Sequence, residues 1–379
     1  MNIVLSGGGT AGHINPALAL AEELTERGHK VYYAGTPQGV EARLVPEAGI
    51  PFTPFEATGF NRNHPSTIFR ALRLIAASTR KAKAWFAEIK PDCVVVFGGY
   101  VCIPVGRAAE ALGVPVLIHE QNSVMGMANK YLAKRAKQVA LTYADAGAAV
   151  ADQSKCVVTG NPVRKSMFTT TREEGRAYCQ VPHDAVMLLI FGGSLGARHI
   201  NTAVCRAKER ILACENVYVR HITGPKEYET VVADLALTSE EAQRWQVVPY
   251  EDHMAQALVA SDAAVSRAGA SSLAEISALQ IPALLVPFPY ATADHQTANA
   301  RSYVESGAAF LIPDNEVEGE EFVQTLLEII SHSKTREAMR TAAAAFGTQN
   351  AAAKLADLVE QACGKTVQAL RFPPVNRVE

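Results

Sequence analysis

Residues 3–13 read Ile3-Val4-Leu5-Ser6-Gly7-Gly8-Gly9-Thr10-Ala11-Gly12-His13, an apolar run that passes through a glycine turn into a helical segment. A second run of this kind, Leu188-Leu189-Ile190-Phe191-Gly192-Gly193-Ser194, follows about half a chain later. Apolar strands that alternate with helical segments are typical of parallel sheets. The sequence therefore predicts an α/β protein with two Rossmann-like, doubly wound parallel-sheet domains, each beginning at one glycine turn.

The boundary between these domains is expected near Pro162. The chain has 379 residues, which exceeds the usual size of one hydrophobic core. Gly160-Asn161-Pro162 stops regular structure. We expect an N-terminal domain over residues 1–162 and a C-terminal domain over residues 163–349. A final amphipathic helix at about residues 350–363 is expected to pack back on the first domain.

Composition limits the class of protein. The chain has 36 Lys and Arg against 38 Asp and Glu, a formal net charge of -2, which argues against a nucleic-acid partner. Its seven cysteines form no CxxC pair, so they predict reduced thiols and not a zinc site or a disulfide framework. No apolar run approaches the ~20 residues of a membrane span, and the N-terminus does not resemble a secretory leader. We therefore expect a protein that is neither secreted nor transmembrane.

The first glycine turn matches the dinucleotide fingerprint GxGxxG at Gly7 to Gly12. That fingerprint also requires an acidic residue at the end of the second strand, and the run from Val31 to Thr36 has none. A turn that exposes backbone N–H groups at a helix N-terminus still favours a phosphate. His13 lies just beyond the turn, where an imidazole suits a general base, although a surface or capping role is the alternative.

The second half offers a site for a nucleotide diphosphate. Backbone amides of Ala270, Ser271 and Ser272 open a helix, and Glu275 follows on the same helix. The amides suit phosphate oxygens and the carboxylate suits both ribose hydroxyls. The alternative is an ordinary helix start with an acid that balances the macrodipole. Gln296 follows a later strand, at the sheet edge where ligands bind in open parallel sheets.

These motifs together resemble the MurG family of glycosyltransferases, over residues 1 to about 300. The matching motifs are Gly8-Gly9-Thr10-Ala11-Gly12-His13, Gly98-Gly99-Tyr100, His119-Glu120-Gln121-Asn122, Asn129-Lys130, Thr159-Gly160-Asn161-Pro162-Val163-Arg164, Gly192-Gly193-Ser194, Arg267-Ala268-Gly269-Ala270 with Glu275, and His295-Gln296. The resemblance implies a GT-B fold whose two domains face a cleft. It implies an inverting transfer of N-acetylglucosamine from UDP-N-acetylglucosamine to the muramyl 4-hydroxyl of undecaprenyl-diphosphate-linked muramoyl-pentapeptide, lipid I to lipid II, in peptidoglycan synthesis.

The resemblance also implies roles for residues, with His13 as the candidate general base. The implied donor contacts are Thr10, Ala11, Gly12, His13, Asn122, Arg164, Ser194, Ala270, Ser271, Ser272, Glu275 and Gln296. The implied acceptor contacts are Gly9, Gly98, Gly99, Tyr100 and Asn129. Two positions depart from the family pattern: Ala11 replaces a usual glycine, and Glu251 stands where an apolar residue often lies beside the uracil. No metal and no cofactor is expected, because no DxD-like pair is present.

A lipid-linked acceptor implies a protein that binds peripherally to the cytoplasmic face of a bacterial membrane. Residues 68–86 combine apolar and basic side chains with no acid. The expected membrane patch consists of Ile68, Phe69, Leu72, Ile75, Trp85, Phe86, Arg73, Arg80 and Lys81. Such a patch suits anionic headgroups. The alternative is a core-facing helix with a solvated basic face. Other cell-wall synthesis proteins are further expected partners.

Two other functions fit the same motifs. A UDP-N-acetylglucosamine 2-epimerase would use the same donor site without a lipid acceptor. A non-catalytic nucleotide-sugar-binding subunit would bind UDP and transfer nothing.

Overall fold

A computed structural model describes residues 1–59, 65–193, 196–344 and 350–364. The chain divides into two compact units. Unit 1 comprises Met1–Arg164 and Gln349–Glu379, and unit 2 comprises Lys165–Thr348. Within the described residues, no helix is long and apolar enough to span a membrane.

Unit 1 is built on a seven-stranded parallel sheet. Its strands are β1 (Asn2–Ser6), β2 (Lys30–Gly35), β3 (Phe52–Pro54), β4 (Cys93–Val96), β5 (Val116–Glu120), β6 (Gln138–Leu141) and β7 (Cys156–Val158). Its first helices are α1 (Ala11–Glu26), α2 (Glu41–Glu47), α3 (Pro65–Ile89), α4 (Cys102–Ala111) and α5 (Met127–Ala133), with 3-10 turns at Ala144–Ala149 and Gln153–Lys155. The strand order β3-β2-β1-β4-β5-β6-β7 reverses direction between β1 and β4, which confirms the predicted doubly wound sheet.

Unit 2 repeats this plan with six parallel strands. They are β8 (Val186–Phe191), β9 (Val217–Ile222), β10 (Trp245–Val248), β11 (Ala263–Ser266), β12 (Ala283–Leu285) and β13 (Ala309–Leu311). The helices are α6 (Ser166–Thr169), α7 (Arg172–Cys179), α8 (Arg198–Arg206), α9 (Lys208–Leu212), α10 (Tyr228–Leu235), α11 (Met254–Ala260), α12 (Ala270–Ala278), α13 (His295–Glu305), α14 (Glu320–Ser331) and α15 (Ser333–Ala344), with 3-10 turns at Glu241–Gln243 and Thr292–Asp294. The strand order is β10-β9-β8-β11-β12-β13, so the switch point lies between β8 and β11.

The central strands are apolar throughout because helices cover both faces of each sheet. In unit 1, Val4 and Val94 face one layer, with side chains of α3, α4 and α5. Ile3 and Cys93 face the other layer, with side chains of α1 and of the last helix, α16 (Ala351–Ala362). Two cores thus hold the carboxyl edges of β1 and β4 in place.

Helix α16 belongs to the core of unit 1. Its apolar face packs against α1. Arg27, beyond the end of α1, donates to Asp357 at 2.6 Å and to Glu360 at 3.1 Å. His29 lies 2.7 Å from the same Glu360 carboxylate, through Nε2. The helix is therefore attached by buried side chains and by ion pairs at its polar side.

Candidate functional site

Two glycine turns meet at the switch point of unit 1. One turn follows β1 and the other follows β4, and these strands are neighbours in the sheet. The Gly8 N–H donates to the Gly98 carbonyl at 3.2 Å. Gly99 has a φ of +88°, and a Cβ there would lie 2.5 Å from the Gly8 carbonyl oxygen. The structure thus brings the predicted acceptor residues Gly9, Gly98 and Gly99 together at one edge.

His13 lies in the first turn of α1 and is half-buried, and its ring is next to both glycine turns. Its Nδ1 lies 2.9 Å from the Gly8 carbonyl oxygen. A carbonyl oxygen only accepts, so the hydrogen bond assigns the proton of the neutral ring to Nδ1. Nε2 then carries the lone pair, and it faces Gly98, where a Cβ would lie 2.9 Å away. This arrangement gives His13 a basic nitrogen beside the glycine turns.

The residues that precede His13 are exposed or half-buried. Thr10 is exposed, and its hydroxyl lies 3.4 Å from Nδ1 of His13. Ala11 and Gly12 are half-buried at the start of α1, and the N-terminus of a helix favours an anion. Tyr100 is half-buried, and its ring lies against Gly59.

The polar residues after β5 form a hydrogen-bonded network around Glu120. Its carboxylate accepts from the Asn122 N–H at 3.1 Å, the Gly126 N–H at 3.0 Å and the Asn129 amide at 2.9 Å. Asn129 is buried, whereas Asn122 is half-buried at the end of the strand. His119 is buried beneath them, and burial lowers its pKa to about 4, so its ring is neutral at pH 7. Of the two predicted contacts here, Asn122 is the more accessible.

Arg164, predicted to contact the donor, is engaged within unit 1. Its guanidinium forms an ion pair with Glu22 on α1. Both side chains are partly exposed.

Unit 2 also has two turns at its switch point. After β8, Gly193 has a φ of +87° and Gly196 a φ of +79°, and a Cβ on Gly196 would lie 2.1 Å from the Thr223 carbonyl oxygen. The predicted donor contact Ser194 lies outside the described residues. After β11, the chain turns at Gly269 and enters α12.

The remaining predicted donor residues lie on α12 and α13. Ala270 is buried at the start of α12, and Ser271 and Ser272 are half-buried. Glu275 follows on the same helix and is mostly buried. Gln296 lies in the first turn of α13, which packs against α12, and its side-chain oxygen accepts from the Phe288 N–H at 2.9 Å. Because β8 and β11 are neighbours, both turns of unit 2 open on the same sheet edge.

Glu251, predicted near the uracil, is turned into the interior of unit 2. Its carboxylate accepts from the Tyr178 hydroxyl at 2.7 Å and from Arg220 at 2.7 Å, and it also accepts from the His253 N–H at 2.9 Å. Burial and the bond to Glu251 raise the pKa of Tyr178 to about 12. The Glu251 side chain is therefore occupied by protein partners.

Two groups of functional interest escaped the sequence reasoning. The first is Glu41, a fully buried acid next to the glycine turn of unit 1. The second is Asp314, which lies between Arg267 and His199; the imidazole Nδ1 of His199 is 2.5 Å from its carboxylate. Neither acid was predicted from the sequence, because Gly9 is 32 residues from Glu41 and both partners of Asp314 are remote in the chain.

The predicted membrane patch divides into two parts. Phe69 and Leu72 on α3 are 77% and 58% exposed, and Ile68 and Ile75 are half-buried. Arg73 and Arg80 are exposed.

The other apolar members of the patch belong to the core, which corrects the sequence expectation. Phe86 is buried in the core of unit 1. Trp85 packs on it, with ring centroids 5.4 Å apart, and on Phe55 at 5.6 Å. Lys81 donates to the Pro54 carbonyl at 2.7 Å. The sequence showed apolar side chains interleaved with basic ones over residues 68–86, but it did not show that the core covers the C-terminal half of α3.

Among the residues that the structure describes, no group of three His, Cys, Asp or Glu side chains is placed to hold a metal ion. All seven cysteines are free thiols.

Comparison with known proteins agrees with this architecture. Two doubly wound units with a glycine turn after the first strand of each are a fold used by nucleotide-binding enzymes, and the family models identify this chain as a two-domain glycosyltransferase. The model of the glycosyltransferase family 28 N-terminal domain matches residues 3–141, and that of the C-terminal domain matches residues 187–359.

Individual relatives show which members of the glycosyltransferase family this chain resembles. The chain is 38% identical to a protein of Bacillus subtilis (strain 168) and 37% identical to one of Halothermothrix orenii, over 95% of this chain and at least 98% of each relative. Both are named UDP-N-acetylglucosamine--N-acetylmuramyl-(pentapeptide) pyrophosphoryl-undecaprenol N-acetylglucosamine transferase.

The chain is also similar to solved structures of glycosyltransferases. The crystal structure of Acinetobacter baumannii MurG is 30% identical, with a TM-score of 0.73 over 95% of this chain and 99% of that one. The calicheamicin glycosyltransferase CalG4, at 16% identity and a TM-score of 0.68 over 97% and 99%, shares the fold. The chain belongs to the MurG family, within glycosyltransferase family 28.

Proposed function

We propose that this chain transfers N-acetylglucosamine from UDP-N-acetylglucosamine to the muramyl 4-hydroxyl of undecaprenyl-diphosphate-linked muramoyl-pentapeptide, with inversion at the anomeric carbon. The names of relatives that match nearly the whole chain support this reaction over epimerisation. The observation that carries the mechanism is His13, whose Nδ1 is tied to the Gly8 carbonyl at 2.9 Å while Nε2 faces Gly98.

In this mechanism unit 1 binds the acceptor and supplies the base. Nε2 of His13 takes the proton of the acceptor hydroxyl as its oxygen attacks the anomeric carbon. A general base contributes about 10²–10⁴ in rate, and an imidazole is suited to neutral pH. Because Gly9, Gly98 and Gly99 have no side chains, their backbone can lie close to the acceptor diphosphate.

Unit 2 binds the donor and stabilises the departing UDP. The amides at the start of α12 face the diphosphate, and the helix N-terminus adds a partial positive charge. Glu275 accepts from the ribose hydroxyls in this proposal, and Gln296 contacts the sugar. The negative charge that develops on UDP is met by backbone dipoles, so the proposal requires no metal and no cofactor.

The direct test is incubation of radiolabelled UDP-N-acetylglucosamine with the lipid-linked muramyl precursor. Labelled lipid product is expected. Conversion of the UDP-sugar in the absence of acceptor would instead support the 2-epimerase. UDP binding without any turnover would support a non-catalytic subunit.

We also propose that the N-terminal half of α3 rests on the membrane surface that carries the acceptor, at its cytoplasmic face. The exposed Phe69 and Leu72 lie among the exposed cations Arg70 and Arg73, a combination that favours anionic headgroups.

Flotation with liposomes tests the membrane proposal. Wild-type protein is expected to float with vesicles that contain anionic lipid and less with neutral ones. The double variant F69S/L72S is expected to lose most of this binding, and F168S, which changes an exposed phenylalanine of unit 2, is expected to keep it. Equal flotation of all three proteins would refute the patch.

A further inference from the structure

Glu41 is a buried acid that the reaction proposed above does not use. It is the first residue of α2 and has 0% exposure. One carboxylate oxygen accepts from the Thr36 N–H at 2.9 Å and from the Thr36 hydroxyl at 2.6 Å. The other accepts from the Gly9 N–H at 3.4 Å. Burying an ionised carboxylate is costly unless donors surround it, so this placement calls for an explanation.

Three glycines leave room for the carboxylate. A Cβ on Gly8 would lie 2.4 Å from Oε1 of Glu41, and one on Gly39 would lie 2.2 Å from Oε2. A Cβ on Gly35 would lie 2.6 Å from its Cγ. Any side chain at these positions would displace the acid. The glycine turn of unit 1 is therefore shaped around Glu41 as well as being open to a ligand.

The peptide between Gly8 and Gly9 connects Glu41 to His13. The carbonyl of this peptide accepts from Nδ1 of His13 at 2.9 Å, and its N–H donates to Glu41 at 3.4 Å. In a planar trans peptide the C=O and the N–H point in opposite directions. The acid therefore holds the N–H on one side, and the carbonyl is turned toward the imidazole on the other.

Without the hydrogen bond to Glu41, the Gly8–Gly9 peptide could reverse its orientation, or flip, at little energetic cost. It lies between two glycines, and Gly9 already has a φ of +89°. A flip would turn the Gly9 N–H toward Nδ1 of His13. Nδ1 would then have to accept, so the neutral ring would carry its proton on Nε2. An imidazole in that tautomer presents a donor, and no base, to the acceptor hydroxyl.

We propose that Glu41 is a positioning residue that selects the Nδ1–H tautomer of His13 by holding the Gly8–Gly9 peptide in one orientation. This inference rests on the proposed role of His13 as the base. Glu41 acts through the peptide and does not touch the substrate. Its effect is thus on turnover, and donor binding by unit 2 is independent of it.

The decisive variant is Glu41→Gln. The amide keeps one oxygen for Thr36 but faces the Gly9 N–H with a donor, which favours the flipped peptide. We expect kcat to fall about tenfold or more, within the range for loss of a general base, while KM for the donor and UDP affinity stay unchanged. The control is Glu47→Gln, which changes an exposed acid of the same helix; it should leave kcat unchanged.

The tautomer of His13 separates a positioning role from a general loss of structure. Nitrogen-15 NMR of the imidazoles should show the Nδ1–H tautomer for His13 in the wild-type protein and a shift toward Nε2–H in Glu41→Gln. An Nε2–H tautomer in the wild-type protein would overturn the proposal, whether or not the variant folds. So would an unchanged tautomer in a folded variant.

A double-mutant cycle distinguishes this proposal from the role of His13 itself. If Glu41 acts through His13, then Glu41→Gln should cost nothing further in a His13→Ala background. If His13→Ala alone keeps full turnover, the proposed base is wrong. If His13→Ala is inactive as expected but the two losses multiply in the residual rate, the base stands and the link through Glu41 is refuted.

Discussion

The two units place the same turn after their first strand but complete it differently. In unit 1 the turn surrounds a buried acid and presents the half-buried imidazole of His13. In unit 2 the corresponding turn lies against the Thr223 carbonyl, and its neighbour leads into α12 with the acid Glu275 on the helix. Strand, turn and helix thus form the same local structure in both units. In the function proposed above, the few side chains that follow decide whether this structure supports proton transfer or binds a nucleotide.

The largest effect should come from His13→Ala. We expect turnover to fall by about 10²–10⁴, because the general base is lost, with UDP affinity unchanged. Turnover with labelled donor and UDP titration by calorimetry measure the two quantities. His183→Ala, at an exposed histidine of unit 2, is the control and should behave as wild type. A loss of UDP affinity in His13→Ala would contradict the proposal that unit 1 supplies the base while unit 2 binds the nucleotide.

Glu275→Gln should give the opposite pattern. A hydrogen bond to a charged group contributes about 1.5–3 kcal/mol, so we expect UDP affinity to fall about 10–100-fold. Lipid binding by unit 1 should be unaffected. Calorimetric titration with UDP checks this, and Glu229→Gln, an exposed acid in the first turn of α10, is the matched control. Unchanged affinity would remove Glu275 from the donor site.

Glycine substitutions compare the turns in both units. Gly9 and Gly193 have positive φ with no atom within 4 Å of an added Cβ, whereas a Cβ on Gly99 or Gly196 would meet a carbonyl oxygen. Alanine at the first two should cost about 1 kcal/mol of unfolding free energy from strain alone. Alanine at the other two should cost about 1–2 kcal/mol more from the collision. Urea denaturation measures these values, and an equal cost at all four positions would contradict the geometry.

The smallest effect concerns acid stability, through one histidine in each unit whose pKa is lowered by burial. Burial lowers the pKa of His119 to about 4 and that of His221 to about 3, from 6.5. As pH falls below 6.5, these two imidazoles bind protons in the unfolded state but not in the folded state. The free energy of unfolding therefore decreases. Each ring contributes a slope of at most about 1.4 kcal/mol per pH unit.

Denaturation at pH 7.0, 6.2 and 5.5 tests this slope. His119→Gln should reduce it in unit 1, and His221→Gln should reduce it in unit 2. A slope that is the same in both variants as in the wild-type protein would show that neither ring resists protonation.

The residues of the sites were predictable to different degrees. His13 and the start of α12 could be predicted as site residues because a strand, a glycine turn and a helix start are adjacent in sequence. The division of α3 was not predicted, because interleaved apolar and basic residues do not show which of the apolar ones the core covers. Glu41 was missed because its partner Gly9 is 32 residues away, and they meet only because β1 and β2 are neighbours.

The sequence by itself determined the class of fold, the two glycine turns and the family, since these depend on the order of apolar and glycine residues along the chain. Tertiary structure alone decided which buried groups support those turns. It placed Glu41 behind the Gly8–Gly9 peptide and directed the carbonyl at His13. The reason is physical: the direction of a peptide dipole and the tautomer of an imidazole depend on partners that only strand order and helix packing bring within hydrogen-bonding distance.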